Sequence, residues 1–262
     1  MQQFCLAYSK NDPAGTLIAQ NIKRLGLPSW ASLHAFKEDI IYVDPEAVEE
    51  KNIIFLSKHQ SAAGIKTLTV HSIGNFGKAE FGGEDRKLSG TLPNICGNYL
   101  CALNEKNSSQ ELIHQGFNVS LEATHHGPFT EKNCLFIEVG SSENEWSNEL
   151  AAKIVAETVI ETTMREQTLE KNEDKIVIGL GGGHYSPEFT KLSLRKNYCF
   201  GHICAKYALA DLNEKLLSQM ITKSKAQEIA LDWKGLKEHK EKVLKLCSAT
   251  GLKVERVQNL LK

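Results

Sequence analysis

Five short apolar runs rich in Ile, Val and Leu, at residues 53–56, 67–71, 119–122, 135–139 and 176–180, alternate with helix-like patterns. That alternation constrains the fold more than any other feature. Runs that are apolar at nearly every position suit strands covered on both faces, as in largely parallel sheets. Strands alternating with helices predict an α/β protein, specifically a three-layer α/β/α arrangement around a mixed, mostly parallel central sheet. A further run at 4–8 precedes Asp12-Pro13. Asp12 is placed to cap a helix with proline at its first position, running through Ile18, Ile22 and Leu25 to a stop at Gly26. Ser142-Glu143-Asn144-Glu145 matches a capping box and predicts a helix carrying Trp146, Leu150, Ala151, Ile154, Val155 and Val159 on its buried side. Segment 164–174 is charged and expected to loop out. Another helix is expected from after Gly201 through Leu217. The lysine-rich tail from about residue 225 is expected to be helical, and residues 1–262 are read as one domain.

Composition sets outer limits. At 262 residues, 41% apolar and 24% charged, the chain is long enough for a substantial core and too apolar for disorder. Its net charge is −1, whereas a protein that coats nucleic acid through counterion release is strongly basic, so any RNA contact must be local. No stretch reads as a membrane span or signal peptide, and the seven cysteines form an odd set with no Cys-x-x-Cys pair. Reduced thiols and a cytoplasmic location follow, and a metal, if bound, would be held by histidine and carboxylate.

The chemistry-bearing residues cluster where the strands end. In open α/β sheets, ligands bind beyond the carboxyl ends of strands. Here the runs lead into Ser57-Lys58-His59-Gln60-Ser61, His71-Ser72-Ile73-Gly74-Asn75, Glu122-Ala123-Thr124-His125-His126-Gly127-Pro128, Gly140-Ser141-Ser142 and Gly181-Gly182-Gly183-His184-Tyr185. These ends are expected to converge on one rim. Adjacent histidines on a strand point oppositely, but a turn at Gly127-Pro128 lets both His125 and His126 face a cleft. Neutral imidazoles suit zinc, with a carboxylate completing the set. Their plainer reading is a pair of solvated loop histidines. The glycine triplet lets the backbone approach a substrate and offers amides to an anionic oxygen, though a tight turn would use the same residues. Glu138 sits inside an apolar run, where a carboxylate needs a partner. His202 is a weaker candidate, and His34, His114 and His239 read as surface residues. Lysines 234, 237, 240, 242 and 245 read as a solvated helix face. Gly-x-Ser-x-Gly, the P-loop, Gly-x-Gly-x-x-Gly after the first strand, and His-Glu-x-x-His are all absent.

These motifs, in this order from about residue 4 to residue 205, resemble the archaeal and plant type of D-aminoacyl-tRNA deacylase. The resemblance is carried by Leu68-Thr69-Val70-His71 with Gly74-Asn75, by Glu122 to Pro128, by Ile137-Glu138-Val139-Gly140-Ser141-Ser142 with Glu145-Trp146, and by Gly181 to Tyr185. Ser186 and Glu188 depart from the family pattern. The resemblance implies a fold similar to that of peptidyl-tRNA hydrolase, zinc dependence, and hydrolysis of the ester joining a D-amino acid to the 3′ end of tRNA. On that basis His125, His126 and Glu138 are expected as metal ligands, and His184 as base or further ligand. His71 is expected to orient a ligand, and the Gly182 and Gly183 amides to receive the oxyanion. His59, Ser61, Asn75, Gly127 and Tyr185 are expected to contact substrate. The expected partner is D-aminoacyl-tRNA alone, with no membrane and no protein partner, and the chain is expected to act as a monomer. Competing readings are a peptidyl-tRNA hydrolase-like or other metal-dependent esterase acting on tRNA, and a non-catalytic RNA-binding protein, which would need a basic face.

Overall fold

The computed structural model describes residues 2–109, 112–168 and 175–262. Strands β1 (Phe4–Ser9), β2 (Ala31–Phe36), β3 (Asn52–Gln60), β4 (Thr67–His71), β5 (Gly90–Thr91), β6 (Asn118–Leu121) and β7 (Asn133–Ser141) form one sheet of order β2-β1-β3-β7-β4-β6, with β5 beside β7. All its pairings are parallel except β4 with β7. A second, wholly parallel sheet has the order β11-β10-β8-β9, from β8 (Lys175–Leu180), β9 (Tyr198–Cys204), β10 (Glu228–Leu231) and β11 (Lys253–Arg256). The sheets adjoin where the Ala123 and Thr124 amides donate to the carbonyls of His184 (2.7 Å) and Ile203 (2.9 Å).

Helices cover both sides of this mixed, mostly parallel α/β framework. Helices α1 (Pro13–Leu25), α2 (Pro93–Ser109) and α4 (Glu149–Thr168) pack on one face of the first sheet. The second sheet lies between α5 (Pro187–Lys196) on one side and α6 (Glu214–Ser224) with α7 (Lys240–Ser248) on the other. The short α3 (Glu143–Trp146) follows β7, and α8 (Val257–Leu260) closes the chain.

Period-two alternation decides which strand residues meet which layer. Ile54 and Leu56 of β3, Leu68 and Val70 of β4, and Leu135, Ile137 and Val139 of β7 join the core under the helices. Their alternates Ile53, Phe55, Cys134 and Phe136 form a smaller core on the opposite face, where Phe55 and Phe136 stack at 4.7 Å. Ser57 and His59, Glu138, and Thr69 and His71 continue that second face.

Several boundaries differ from the sequence reading. The capping box at Ser142 is present, but its helix stops at Trp146 because the Asn148 side chain accepts from the Ala151 amide (2.9 Å) and starts α4 afresh. Residues 164–168, expected to loop out, continue α4, while 169–174 lie outside the described residues. Gly201 does not begin a helix; it lies within β9, where a Cβ would sit 2.1 Å from Ser224 Oγ, and the helix starts only at Glu214 under the Asn213 cap. The tail from about residue 225 is not wholly helical, because β10 and β11 extend the second sheet. No helix among the described residues is long and apolar enough to cross a membrane.

Asp12 fixes the first crossover as its position before Pro13 predicts. It caps α1 through the Gly15 amide (2.8 Å) and also accepts from the Lys58 amide (2.8 Å) and Ser57 Oγ (3.1 Å), tying the helix start to β3. Asp12→Ala removes the cap and strands buried donors, so it should lower stability by about 2 kcal/mol or more. Urea unfolding reads this directly, and an unchanged midpoint would contradict the double role.

Candidate active site

The imidazoles do converge, although not on a strand-end rim. Because β4 runs against β7, their carboxyl ends point in opposite directions. The groups meet instead on the sheet's second face, over the middle of β7, below a cleft of about 690 Å³. Its lining includes Asp12, Ser57, Lys58, His59, His125, His126, Glu138 and His184, with Ile40, Ile41, Ala62 and Phe81 on the apolar walls.

Three imidazoles share one pattern. His71 Nδ1 lies 3.1 Å from the Ser72 carbonyl, His125 Nδ1 2.8 Å from the Ala123 carbonyl, and His126 Nδ1 2.6 Å from the Gly127 carbonyl. A carbonyl only accepts, so in each neutral ring Nδ1 carries the proton and Nε2 keeps its lone pair. His126 has a left-handed φ of +42°, which turns the chain so that consecutive rings face the same space, with centroids 4.3 Å apart. The His71 ring lies 4.4 Å from His125 and 5.0 Å from His126, and it stacks on Phe136 at 5.4 Å.

Beside them stand two buried carboxylates. Glu138 Oε2 is 3.4 Å from His59 Nδ1 and 3.6 Å from His71 Nε2. Glu122 Oε1 is 3.1 Å from His59 Nδ1, while its Oε2 is 3.1 Å from His184 Nε2 and 3.6 Å from His125 Nε2. The far nitrogens are also engaged: His59 Nε2 meets the Tyr185 hydroxyl at 3.0 Å and His184 Nδ1 the Tyr207 hydroxyl at 3.3 Å. Trp146, placed by the capping box, donates from Nε1 to the His59 carbonyl (2.8 Å).

Charge states follow from this packing. Burial would push Glu138 upward, but the contacts with His59 and His71 outweigh it and hold the carboxylate well below its ordinary range. Burial likewise opposes ionisation of Glu122, and the approach of His184 with the charges of His71 and His59 overcomes it. Burial disfavours the charged forms of His59 and His71, yet Glu138 and Glu122 raise both above the usual histidine value. His125 is driven well below that value by burial and then by the neighbouring imidazoles, and His126 falls to about 4 by burial and His71.

This donor set fits a divalent metal ion. His71, His125 and His126 each offer an atom within 4.8 Å of the others, as do His59, Glu122 and His184, and also His71, Glu122 and Glu138. His71 Nε2 and both Glu122 oxygens are buried without a hydrogen-bond partner. Backbone acceptors that fix the outer ring nitrogen are the usual support of a metal-bound histidine.

The remaining expectations divide. His71, expected to orient a ligand, belongs to the three-imidazole group itself. Glu122, to which the sequence assigns no role, meets three imidazoles, more than Glu138 does. Its position after a strand and before His125 was the available signal. Tyr207 carried no sequence signal and is brought in by the 3₁₀ turn Lys206–Ala208. The Gly182 nitrogen is packed against Gly235, where a Cβ would stand 2.1 Å away, and Gly182 is off the cleft lining. Gly183 is half-buried beside His184 and off the lining. Gly127 is buried against the Gly82 and Gly83 backbone, where a Cβ would lie 2.2 Å from the Gly83 nitrogen, so packing explains the glycine. Asn75 lines the cleft but donates to the Gly82 carbonyl (2.9 Å), bracing a loop. Ser61 stands at the end of β3 off the lining, near Tyr185. His202 stays outside the centre, within hydrogen-bond reach of Thr124 Oγ1 (3.2 Å) and the Ser89 carbonyl (3.0 Å).

Fold and centre together define an α/β protein with a metal-competent, histidine-rich cleft. Residues 47–255 match the model of the D-aminoacyl-tRNA deacylase family. A protein of Methanococcus maripaludis (strain C7) named D-aminoacyl-tRNA deacylase is 36% identical over 252 residues, covering 95% of this chain and 97% of its own. One of the same name from Pyrococcus furiosus is 37% identical over 227 residues, covering 82% and 80%. A crystal structure described as a conserved protein of unknown function superposes with a TM-score of 0.90 at 30% identity, covering 99% of this chain and 97% of that one. The chain belongs to the D-aminoacyl-tRNA deacylase family.

The pKa directions predict how metal uptake depends on pH. His71 holds its proton above the ordinary histidine value, and a metal must displace any proton on the nitrogen it binds. Affinity should therefore fall as pH drops through the range above the ordinary histidine value, with protons released on binding. His125 and His126 stay neutral there and are not limiting. Calorimetric titration of the metal-free protein in buffers of different ionisation heat tests this, and constant affinity without proton release would contradict it.

Proposed function

We propose that this protein hydrolyses the ester of D-aminoacyl-tRNA, releasing the D-amino acid and tRNA, with zinc as its cofactor. The observation that carries the reading is the set of three imidazoles whose Nδ1 atoms face backbone carbonyls, leaving Nε2 for a metal, and which each bring a ring nitrogen within 4.8 Å of the others, in a chain of this family. His71, His125 and His126 would hold zinc through Nε2, with Glu138 beside them. When bound there, zinc supplies Lewis-acid polarisation of the ester carbonyl and a lower pKa for attacking water.

The chain's own groups supply the rest. His184 is half-exposed on the cleft wall between Glu122 and the Tyr207 hydroxyl, so it is positioned to take a proton at one nitrogen while the Glu122 charge offsets it. His59, fixed by Tyr185, Trp146 and the two carboxylates, keeps Glu122 and Glu138 ionised and apart. Ser61 and Gly183 flank these groups at the cleft edge. Ile40, Ile41 and Ala62 form the wall against which the amino-acid side chain packs, and rejection of the L-isomer by steric conflict there gives chiral selection.

A monomer is proposed as the working unit. It is also a single domain, since one apolar cluster reaches from Leu6 in the first sheet to Val177 and Phe200 in the second. Seven free cysteines suit a reducing, cytoplasmic setting.

Incubation with D-tyrosyl-tRNA and L-tyrosyl-tRNA should release tyrosine from the D-ester far faster, and equal rates would remove the assignment. His125→Ala should lose zinc and activity together, whereas His184→Ala should keep zinc and lower kcat by roughly 10²–10⁴-fold. Full activity in both variants would place the chemistry elsewhere.

A further inference from the structure

The chain has ten phenylalanines, six tyrosines and three tryptophans, and nearly all are at least half-buried. Among the described residues the exposed aromatic side chains are Phe81 (63%), Tyr42 (57%) and Tyr207 (56%). All three lie in or beside one cleft: Phe81 lines it, Tyr42 stands next to Gly82, the residue after Phe81, and Tyr207 meets the lining residue His184. Scattered exposed apolar residues are ordinary on a protein surface, but confinement of the exposed aromatics to one mouth is not expected of chance.

Backbone contacts hold together the segments that carry Tyr42 and Phe81. The Gly127 amide, next to His126, donates to the Phe81 carbonyl (2.9 Å), and Asn75 Nδ2 donates to the Gly82 carbonyl (2.9 Å). Gly82, at φ +73°, sits so close to the neighbouring turn that a Cβ would stand 1.9 Å from the Ile41 carbonyl oxygen and 3.3 Å from Tyr42 Cδ1. The two aromatic residues therefore stand on adjoining backbone segments. These segments are locked to each other and to the stretch that carries His125 and His126.

We propose that Tyr42 and Phe81 form a stacking platform for the unpaired bases at the 3′ end of the tRNA, a proposal that rests on the deacylase reading. The ester under attack is attached to the terminal ribose, so with its carbonyl at the imidazoles the terminal base is carried to the cleft mouth. Unpaired RNA ends are bound by stacking on aromatic rings, an interaction that tolerates any base because every base has a π-face. A chain of net charge −1 has no overall basic excess to hold RNA, so its contacts must be local, with stacking on these rings beside the lining lysines Lys58 and Lys78.

The test compares D-tyrosyl-tRNA with D-tyrosine methyl ester, which carries the same acyl group and no nucleotide. Phe81→Ala and Tyr42→Ala should each raise KM for the tRNA on the order of tenfold with little change in kcat. The ratio of kcat/KM for the tRNA to that for the methyl ester should fall by a similar factor. Phe81→Tyr and Tyr42→Phe keep a ring and should restore it. Both sites are exposed, so the unfolding midpoint should stay put and separate binding from folding. Equal losses on the two substrates would mean that the pair shapes the amino-acid pocket and would refute the platform. Unchanged KM, with sedimentation shifting between dimer and monomer, would assign the patch to a second copy and refute it too. A wild-type protein inactive on D-tyrosyl-tRNA but active on the methyl ester would instead remove the deacylase reading, and the platform with it.

Discussion

Two carboxylates almost wholly removed from water, Glu122 and Glu138, set the terms for everything built around them. Burying an ion costs several kcal/mol even after the protein relaxes, so each must be met by opposite charge or by metal. Among the five imidazoles from β3, β4, the loop after β6 and the turn after β8, His59, His71 and His184 meet that demand. Removing both carboxylates would leave the raised pKa values of His59 and His71 without their cause. The converse holds for the depressed carboxylates, which would revert toward the cost of isolated burial. In this sense the centre is a charge balance first and a catalytic arrangement second.

Within that balance the imidazoles divide by their backbone contacts. His71, His125 and His126 each turn Nδ1 to a carbonyl and are shaped to offer a lone pair. His59 and His184 instead sit between carboxylate and tyrosine hydroxyl, with hydrogen-bonding groups at both nitrogens, and are shaped to hold or pass protons. Low pKa values at His125 and His126 and high ones at His59 and His71 are the electrostatic face of the same packing. Phe136 carries His71, and Trp146 fixes the backbone of His59, so the apolar layer determines the geometry of the polar one.

Much of this was legible in the sequence because strand periodicity and local motifs are short-range. Asp12-Pro13, the Ser142 capping box, the five apolar runs and the clusters ending in His59, His71, His125, His126 and His184 could all be read within a few residues. What failed depends on pairing across the chain. The reversed direction of β4 cannot be read from residues 67–71, and it moved the centre from a rim to a sheet face. Strands β10 and β11, four residues each, are set in lysine-rich sequence whose pattern suits a helix, and only their partners make them strands. Gly182 and Gly127 looked like substrate contacts because glycine is needed for any close approach, and the approach turned out to be to the protein's own backbone. Tyr207 was invisible for the same reason: nothing near it in sequence announces His184.

Three ring nitrogens from separated parts of the chain are proposed to share one metal. Diffraction from zinc-loaded crystals, recorded on both sides of the zinc absorption edge, tests it most directly. An anomalous peak is expected about 2.0–2.1 Å from Nε2 of each of His71, His125 and His126. A peak bound elsewhere, or none at these nitrogens in protein that has taken up zinc, would contradict it.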